Sequence, residues 1–233
     1  SILFFLVSTT LTAQVNQKNR VIILSDIEAD PDDTQSFVRL FLYSNTIDIN
    51  GIVATTSCWM QTRIAPESIK KIINAYGKIQ PNLLQHEAGF PDEVTLSNLV
   101  YSGLPLYGMK GVGEGKDSPG SELIIKELEA KDSRPLWISV WGGANTLAQA
   151  LYKMEQTKSK DELKKLIAKL RVYTISDQDD SGVWMRNNFP DLFYIVSPGD
   201  DYGSATWSGI NSFIKGINNE TISNSWIAKN IQV

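Results

Sequence analysis

Five carboxylates fall within eight residues of this chain, at Asp26, Glu28, Asp30, Asp32 and Asp33. Carboxylates this close repel one another, and a bound cation or shared protons would relieve the repulsion. Two chemistries follow. Clustered carboxylate oxygens suit Ca2+ or another hard divalent cation. A pair of carboxyl groups can also act on a glycosidic bond, one as acid and the other as base or nucleophile. Acidic residues cap helices and favour helix N-termini, but five of them directly after an apolar strand exceed what a cap requires. An EF-hand is excluded, because a loop starting at Asp26 puts Pro31 at its glycine position and Phe37 at its bidentate glutamate position. A cysteine-rich zinc site is excluded by the single cysteine, Cys58. The only histidine, His86, stands in a Pro/Asn/Gln-rich stretch without a nucleophile elbow, which sets Ser-His and Cys-His catalysis aside.

The elements around the acidic run read as strand, loop and helix. Residues 21–24 are the apolar run of a buried parallel strand. From Thr34 the pattern turns helical, with Phe37, Leu40, Phe41 and Ser44 on one face. Residues 47–56 read as a second strand leading into Ser57-Cys58-Trp59, and Pro66 opens a helix that Gly77 is placed to end. Residues 78–120 read as loop, and Gly111 to Gly115 as a flexible turn, since no strand precedes them to make a phosphate cradle. Further strands are expected at 136–141, 172–175 and 192–196, with helices at 121–131, around Leu147–Met154, around Leu163–Leu170 and, weakly, at 206–216. A second acidic loop carries Asp177, Asp179 and Asp180.

This alternation predicts one α/β domain: an open, mostly parallel sheet with helices on both faces and right-handed crossovers. In such a sheet the loops after the strands share the carboxyl edge, where ligands bind. Both acidic loops and the Gly142-Gly143 turn are therefore expected to converge there.

At 233 residues the chain suits a single domain, and its net charge of −4, with no Lys/Arg-rich run, excludes an electrostatic footprint for nucleic acid. Residues 2–7 are an apolar run followed by small residues, the later part of a secretory signal. Residues 1–14 are thus expected to be a leader remnant and the domain to occupy 20–233. The run is too short for stable membrane insertion, and the expected location is secreted, periplasmic or cell-surface.

Separated motifs carry a resemblance. Asp26-x-Glu28-x-x-x-Asp32-Asp33 resembles the Asp-x-Asp-Pro-Gly-x-Asp-Asp signature of the calcium-dependent inosine-uridine nucleoside hydrolases. Ser25-Asp-Ile-Glu28, Pro31-Asp-Asp33, Arg39-Leu with Tyr43-Ser-Asn45, Trp141-Gly-Gly-Ala-Asn-Thr-Leu-Ala148 and Ser176-Asp-Gln-Asp-Asp-Ser-Gly182 are similar to exported cellulose-binding proteins with a nucleoside-hydrolase-like domain. The resemblance implies a Rossmann-like hydrolase fold with Ca2+ as cofactor. It implies Asp33 as a bidentate calcium ligand, Asp32 on sugar hydroxyls, Glu28 as both ligand and general base, and Asn145 joining the metal through its backbone carbonyl.

The chain also departs from the hydrolase pattern. Glu28 stands in place of aspartate, Ala29-Asp30 in place of Pro-Gly, and Ser57-Cys58-Trp59 in place of a ribose-contacting asparagine. The downstream aspartate beside a histidine has no counterpart after Ser208, so the expectation is either a C-terminally truncated domain or an incomplete site.

Two functions are expected from these residues. One is metal-assisted hydrolysis of an N-glycosidic or related glycosidic bond, with Glu28 or Asp26 as base and Asp33, Glu28 and Asn145 at the metal. The other is a non-catalytic carbohydrate- or cellulose-binding module on the same fold. Substrate contacts are expected from Asp32, Trp59, Asn145, Asp177, Asp179 and Trp184, and the ligand is a small sugar-containing molecule or a polysaccharide. Trp59, Trp141 and Trp184 are read on the ligand edge, where aromatic faces suit sugar rings.

Overall fold

The computed structural model describes residues 17–197, 219–220 and 223–230. The expected leader at 1–14 and the helix expected at 206–216 lie outside the described residues.

Six strands form one sheet: β1 (Asn19–Ser25), β2 (Ile47–Ala54), β3 (Val100–Ser102), β4 (Leu136–Val140), β5 (Leu170–Thr174) and β6 (Phe193–Val196). Every neighbouring pair is parallel, and the order is β3-β2-β1-β4-β5-β6. Eight helices accompany them among the described residues: α1 (Asp32–Leu42), α2 (Pro66–Leu83), α3 (Glu93–Ser97), α4 (Pro119–Glu129), α5 (Asn145–Thr157), α6 (Lys160–Lys169), α7 (Ser181–Asn188) and α8 (Asn224–Asn230). The open parallel sheet read from the sequence is the observed architecture, and it contains no antiparallel strand among the described residues.

Alternation along β1 explains why the sheet is covered on both faces. Ile22 and Leu24 enter one apolar layer with Leu123, Ile124, Leu147, Leu151, Met154 and Met185, from α4, α5 and α7. Ile23 enters the other with Phe37 and Phe41 of α1, Ile69 and Ile73 of α2, and Leu96 of α3. Strand order runs outward from β1 in both directions, so the direction in which strands are added reverses between β1 and β4. The loops after those two strands flank the topological switch point, where open α/β sheets bind ligands.

Local signals set the helix ends. α1 carries Asp32 and Asp33 in its first turn and Arg39 in its last, both matched to the helix dipole. Ser118 and Ser159 form capping boxes at the starts of α4 and α6.

The structure differs from the sequence reading between residues 77 and 120. α2 runs through Gly77 to Leu83, because the space a side chain would take at Gly77 is filled by Glu93, whose carboxylate accepts from Asn74 Nδ2 at 2.9 Å. The stretch read as loop holds α3 and β3 as well. β3 has only three residues, all half-buried, too short for a periodic signal. No helix among the described residues is long and apolar enough to cross a membrane.

Phe37 ties α1 to the sheet beneath the acidic loop. It is fully buried, 5.7 Å from the Phe41 ring and 4.8 Å from that of Trp141. Phe37→Ala is expected to lower stability by about 3–5 kcal/mol in denaturant unfolding followed by circular dichroism.

Candidate functional site

The loop leaving β1 begins with a tight turn in which Ala29 N–H donates to the Asp26 carbonyl at 2.9 Å. Ser25 turns its hydroxyl back to the loop. It accepts from Ile27 N–H at 3.1 Å and donates to Asp33 Oδ2 at 2.5 Å, joining the last residue of β1 to the first turn of α1. Asp26 is buried and hydrogen-bonded to the Ser57 hydroxyl and to the Asp33 carboxyl. Ser57 Oγ accepts from Trp59 and Met60 N–H, at 3.1 and 3.2 Å, which leaves its O–H to donate to Asp26. Gly142, after β4, lies against the same carboxyl: a Cβ there would stand 2.7 Å from Asp26. Glycine is needed at 142 for this close approach.

Three buried or half-buried acids therefore meet at the switch point. Burial pushes Asp33 up to about 8, with the Asp26 charge adding to it. Burial, then a hydrogen bond and charge from Asp30, push Asp32 up to about 7. Asp26 is also raised, chiefly by burial. At neutral pH such a cluster holds both carboxylic acid and carboxylate, the pairing an acid–base site needs.

The neighbouring loops are knitted to this one. Asn145, the first residue of α5, is buried; its Oδ1 accepts from the Thr55 hydroxyl at 2.9 Å, and its Nδ2 donates to the Leu106 carbonyl at 2.6 Å. Asp179, after β5, accepts from Asn145 N–H at 3.2 Å and from Ser181 N–H and hydroxyl at 2.9 and 2.5 Å. Cys58 N–H donates to the Gln178 carbonyl at 2.8 Å, linking the β2 and β5 loops. The loops after β1, β2, β4 and β5 share one edge, as the strand alternation implies.

The expected residues divide into those that meet and those that do not. Asp26, Asp32 and Asp33 meet. Asn145 and Asp179 stand beside them, their side chains engaged in holding loops together. Asp177 is held by Arg186 through two bonds, at 2.9 and 2.7 Å. Trp184 lies on α7 and packs edge-on to Phe189 at 5.6 Å, half-buried, and Trp141 packs on Phe37. Trp59 is 64% exposed on the loop after β2.

Glu28 points elsewhere. It is the only non-glycine residue with positive φ among the described residues, at 81°. Its carboxylate accepts from Arg63 Nη1 at 2.5 Å and from the Ser68 hydroxyl. Those bonds, Ser68 first, hold it below the usual glutamate range.

Sequence reasoning missed Ser25, Ser57, Arg63 and Ser68. Ser25, next to Asp26, and Ser57, after β2, carry no signal of their own, and Arg63 and Ser68 reach Glu28 from the β2–α2 connection and the first turn of α2. The donor set at the acidic loop is all oxygen, which suits a hard cation. Its arrangement does not: no group of three or more Asp, Glu, His or Cys side chains among the described residues is placed to hold a metal ion.

The raised acids give a signed pH dependence. Asp33 rises from 3.8 to about 8, so its contribution to stability is whole below pH 3.8 and drains away as the pH climbs to about 8. The melting temperature is expected to fall between pH 5 and 8, and Asp33→Asn to flatten that fall in a calorimetric pH series. An equally steep fall in the variant would place the titration elsewhere.

Comparison with known proteins agrees with this geometry. The family model described as "Cellulose-binding Sde182, nucleoside hydrolase-like domain" matches residues 20–233. Among solved structures, a nucleoside hydrolase-related hypothetical protein from Saccharophagus degradans that is associated with carbohydrate metabolism is 43% identical, with a TM-score of 0.76 over 81% of this chain and 47% of that one. An inosine-guanosine nucleoside hydrolase is 15% identical, with a TM-score of 0.39 over 68% of this chain and 49% of that one. The chain thus spans about half the length of each. None of the curated proteins matches it. With an open parallel sheet whose carboxyl edge carries the Asp26–Asp33 loop, and a family match over 20–233, the chain belongs to the nucleoside hydrolase-like domain family of cellulose-binding Sde182.

Proposed function

We propose that this protein binds a sugar-containing ligand at the switch point and hydrolyses its N-glycosidic or related glycosidic bond. One observation carries the reading: Asp26, Asp32 and Asp33, buried or half-buried, are grouped at the carboxyl edge of the sheet, where burial raises the pKa of each. A carboxyl that keeps its proton at pH 7 can give it to the leaving group. A neighbouring carboxylate can take the proton of the attacking water as its oxygen bonds to the anomeric carbon. Asp33 and Asp32 suit the first role, and Asp26, whose carboxylate form the Ser57 hydrogen bond favours, the second. No step is routed through calcium, because the acids do not converge on a cation position.

A second reading, carbohydrate binding without turnover, is supported by the exposed Trp59 and by the cellulose-binding description of the family. A tryptophan face on the rim suits stacking against a sugar ring. The apolar run at residues 2–7, read as the later part of a secretory signal, supports an exported location for either activity.

Release of sugar from a panel of nucleosides and glucosides separates the two readings. Hydrolysis requires turnover by the wild type that drops by about 10²-fold or more in Asp33→Asn and in Asp26→Asn. No turnover, together with retention on insoluble cellulose that survives Asp33→Asn and is lost in Trp59→Ala, would establish the binding module instead.

A further inference from the structure

The glycine-rich turn that ends at Gly115 takes no part in the acidic loop, yet it forms one wall of a cleft of about 340 Å³ against α5. At Gly113 and Gly115 a Cβ would meet nothing within 4 Å, so bare backbone faces the opening. Gln149 anchors the turn: its Oε1 accepts from Gly113 N–H at 2.8 Å, and its Nε2 donates to the Gly113 carbonyl at 3.1 Å. Gln149 Nε2 and Lys153 Nζ then each donate to the Asp117 carboxylate at 2.8 Å, and Lys153 also donates to Glu122. These bonds fix both walls in advance of any ligand, which lowers the cost of ordering them on binding. Hydrogen-bonding capacity is left over. An ammonium has three donors and Lys153 uses two; a carboxylate has about four lone-pair sites and Asp117 fills two. Glu114, Tyr152 and Gln156 line the same cleft, and their side chains form no hydrogen bond among the described residues.

The chemistry of the lining selects its occupant. An anion is disfavoured, because the Lys153 ammonium is already shared by Asp117 and Glu122, and Glu114 adds a further negative charge. Gly113 N–H is given to Gln149, so the turn makes no phosphate cradle. A neutral ligand rich in hydroxyls fits, since each hydroxyl both donates and accepts. The Tyr152 ring offers such a ligand an apolar face for the C–H side of a pyranose. We propose that this cleft is a second carbohydrate site, which takes a ring of a neutral oligo- or polysaccharide with Tyr152 and Gln156 as its principal contacts. Glu114, Gly115 and Gln156 are exposed, so the mouth opens to solvent and a sugar chain can continue past it. The lining lies roughly 6 to 16 Å along α5 from Asn145. It shares no residue with the acidic loop, and it stands apart from whether the switch point turns a substrate over. One loop borders both places: Leu106 and Met109 bond to Asn145 and Asp180, while Gly113 and Asp117 bond to α5.

Isothermal titration calorimetry of the full chain with cellohexaose, a neutral glucan fragment, tests the cleft. Tyr152→Ala is expected to weaken binding about tenfold and Gln156→Ala about threefold. Tyr152→Phe keeps the ring and is expected to stay within about twofold of the wild type. Gln156 is exposed, so its variant reads the site even where Tyr152→Ala perturbs α5. The anionic hexagalacturonate is expected to bind about tenfold more weakly than cellohexaose, and equal affinity overturns the assignment to a neutral ligand. Affinity unchanged in both Tyr152→Ala and Gln156→Ala overturns the cleft, as does a wild type that binds no cellohexaose at millimolar concentration. A loss confined to Trp59→Ala or Asp33→Asn overturns the cleft and leaves the switch-point reading standing. A loss in the Tyr152 and Gln156 variants with Asp33→Asn unchanged establishes the second site, whatever the switch point does.

Discussion

A carboxylate removed from water beside another carboxylate must find donors, a counter-charge or a proton. That constraint organises the carboxyl edge of this sheet. Asp26, Asp32 and Asp33 are brought together because β1 ends and α1 begins within one short loop, with Ser25 tying the two by a 2.5 Å bond. The central position of β1 and the packing of Phe37 against Phe41 and Trp141 fix where that loop lies. Among the described residues the buried members receive the hydroxyls of Ser25 and Ser57 and the backbone N–H of Asp26. Burial raises the pKa of all three acids, so a shared proton relieves their repulsion at higher pH than it would in water.

Asp179 shows the other outcome of the same constraint. It is buried like Asp26 and Asp33, yet it receives two donors from Ser181 and a third from the backbone of Asn145. A carboxylate so supplied pins loops together and has little left to offer a ligand. Burial raises its pKa as it does theirs, and what differs is that its donors join the loops after β4 and β5.

The sequence carried the architecture well. Apolar strands alternating with amphipathic helices are enough for a parallel sheet, and that alternation puts Gly142-Gly143 and both acidic loops on its ligand edge. The three-residue β3 and the passage of α2 through Gly77 were not legible, because one is shorter than any period and the other depends on Glu93 filling a glycine's space. Within the site, the acids were legible by type and spacing. Their direction was not. Nothing in the run from Asp26 to Asp33 reveals that Glu28 leaves it, since the sign of its φ and the reach of Arg63 are settled by the β2–α2 connection.

The backbone of Glu28 has a hereditary consequence. A residue other than glycine held at positive φ costs on the order of 1–3 kcal/mol, and here Arg63 and Ser68 offset that cost from outside the loop. Positions 28, 63 and 68 are thus one unit of selection. Drift at Arg63 or Ser68 makes glycine or asparagine the cheaper residue at 28, and with that change the carboxylate is gone from the loop altogether. Lineages that keep glutamate at 28 are expected to keep its two donors with it, and a lineage that loses them to lose all three together.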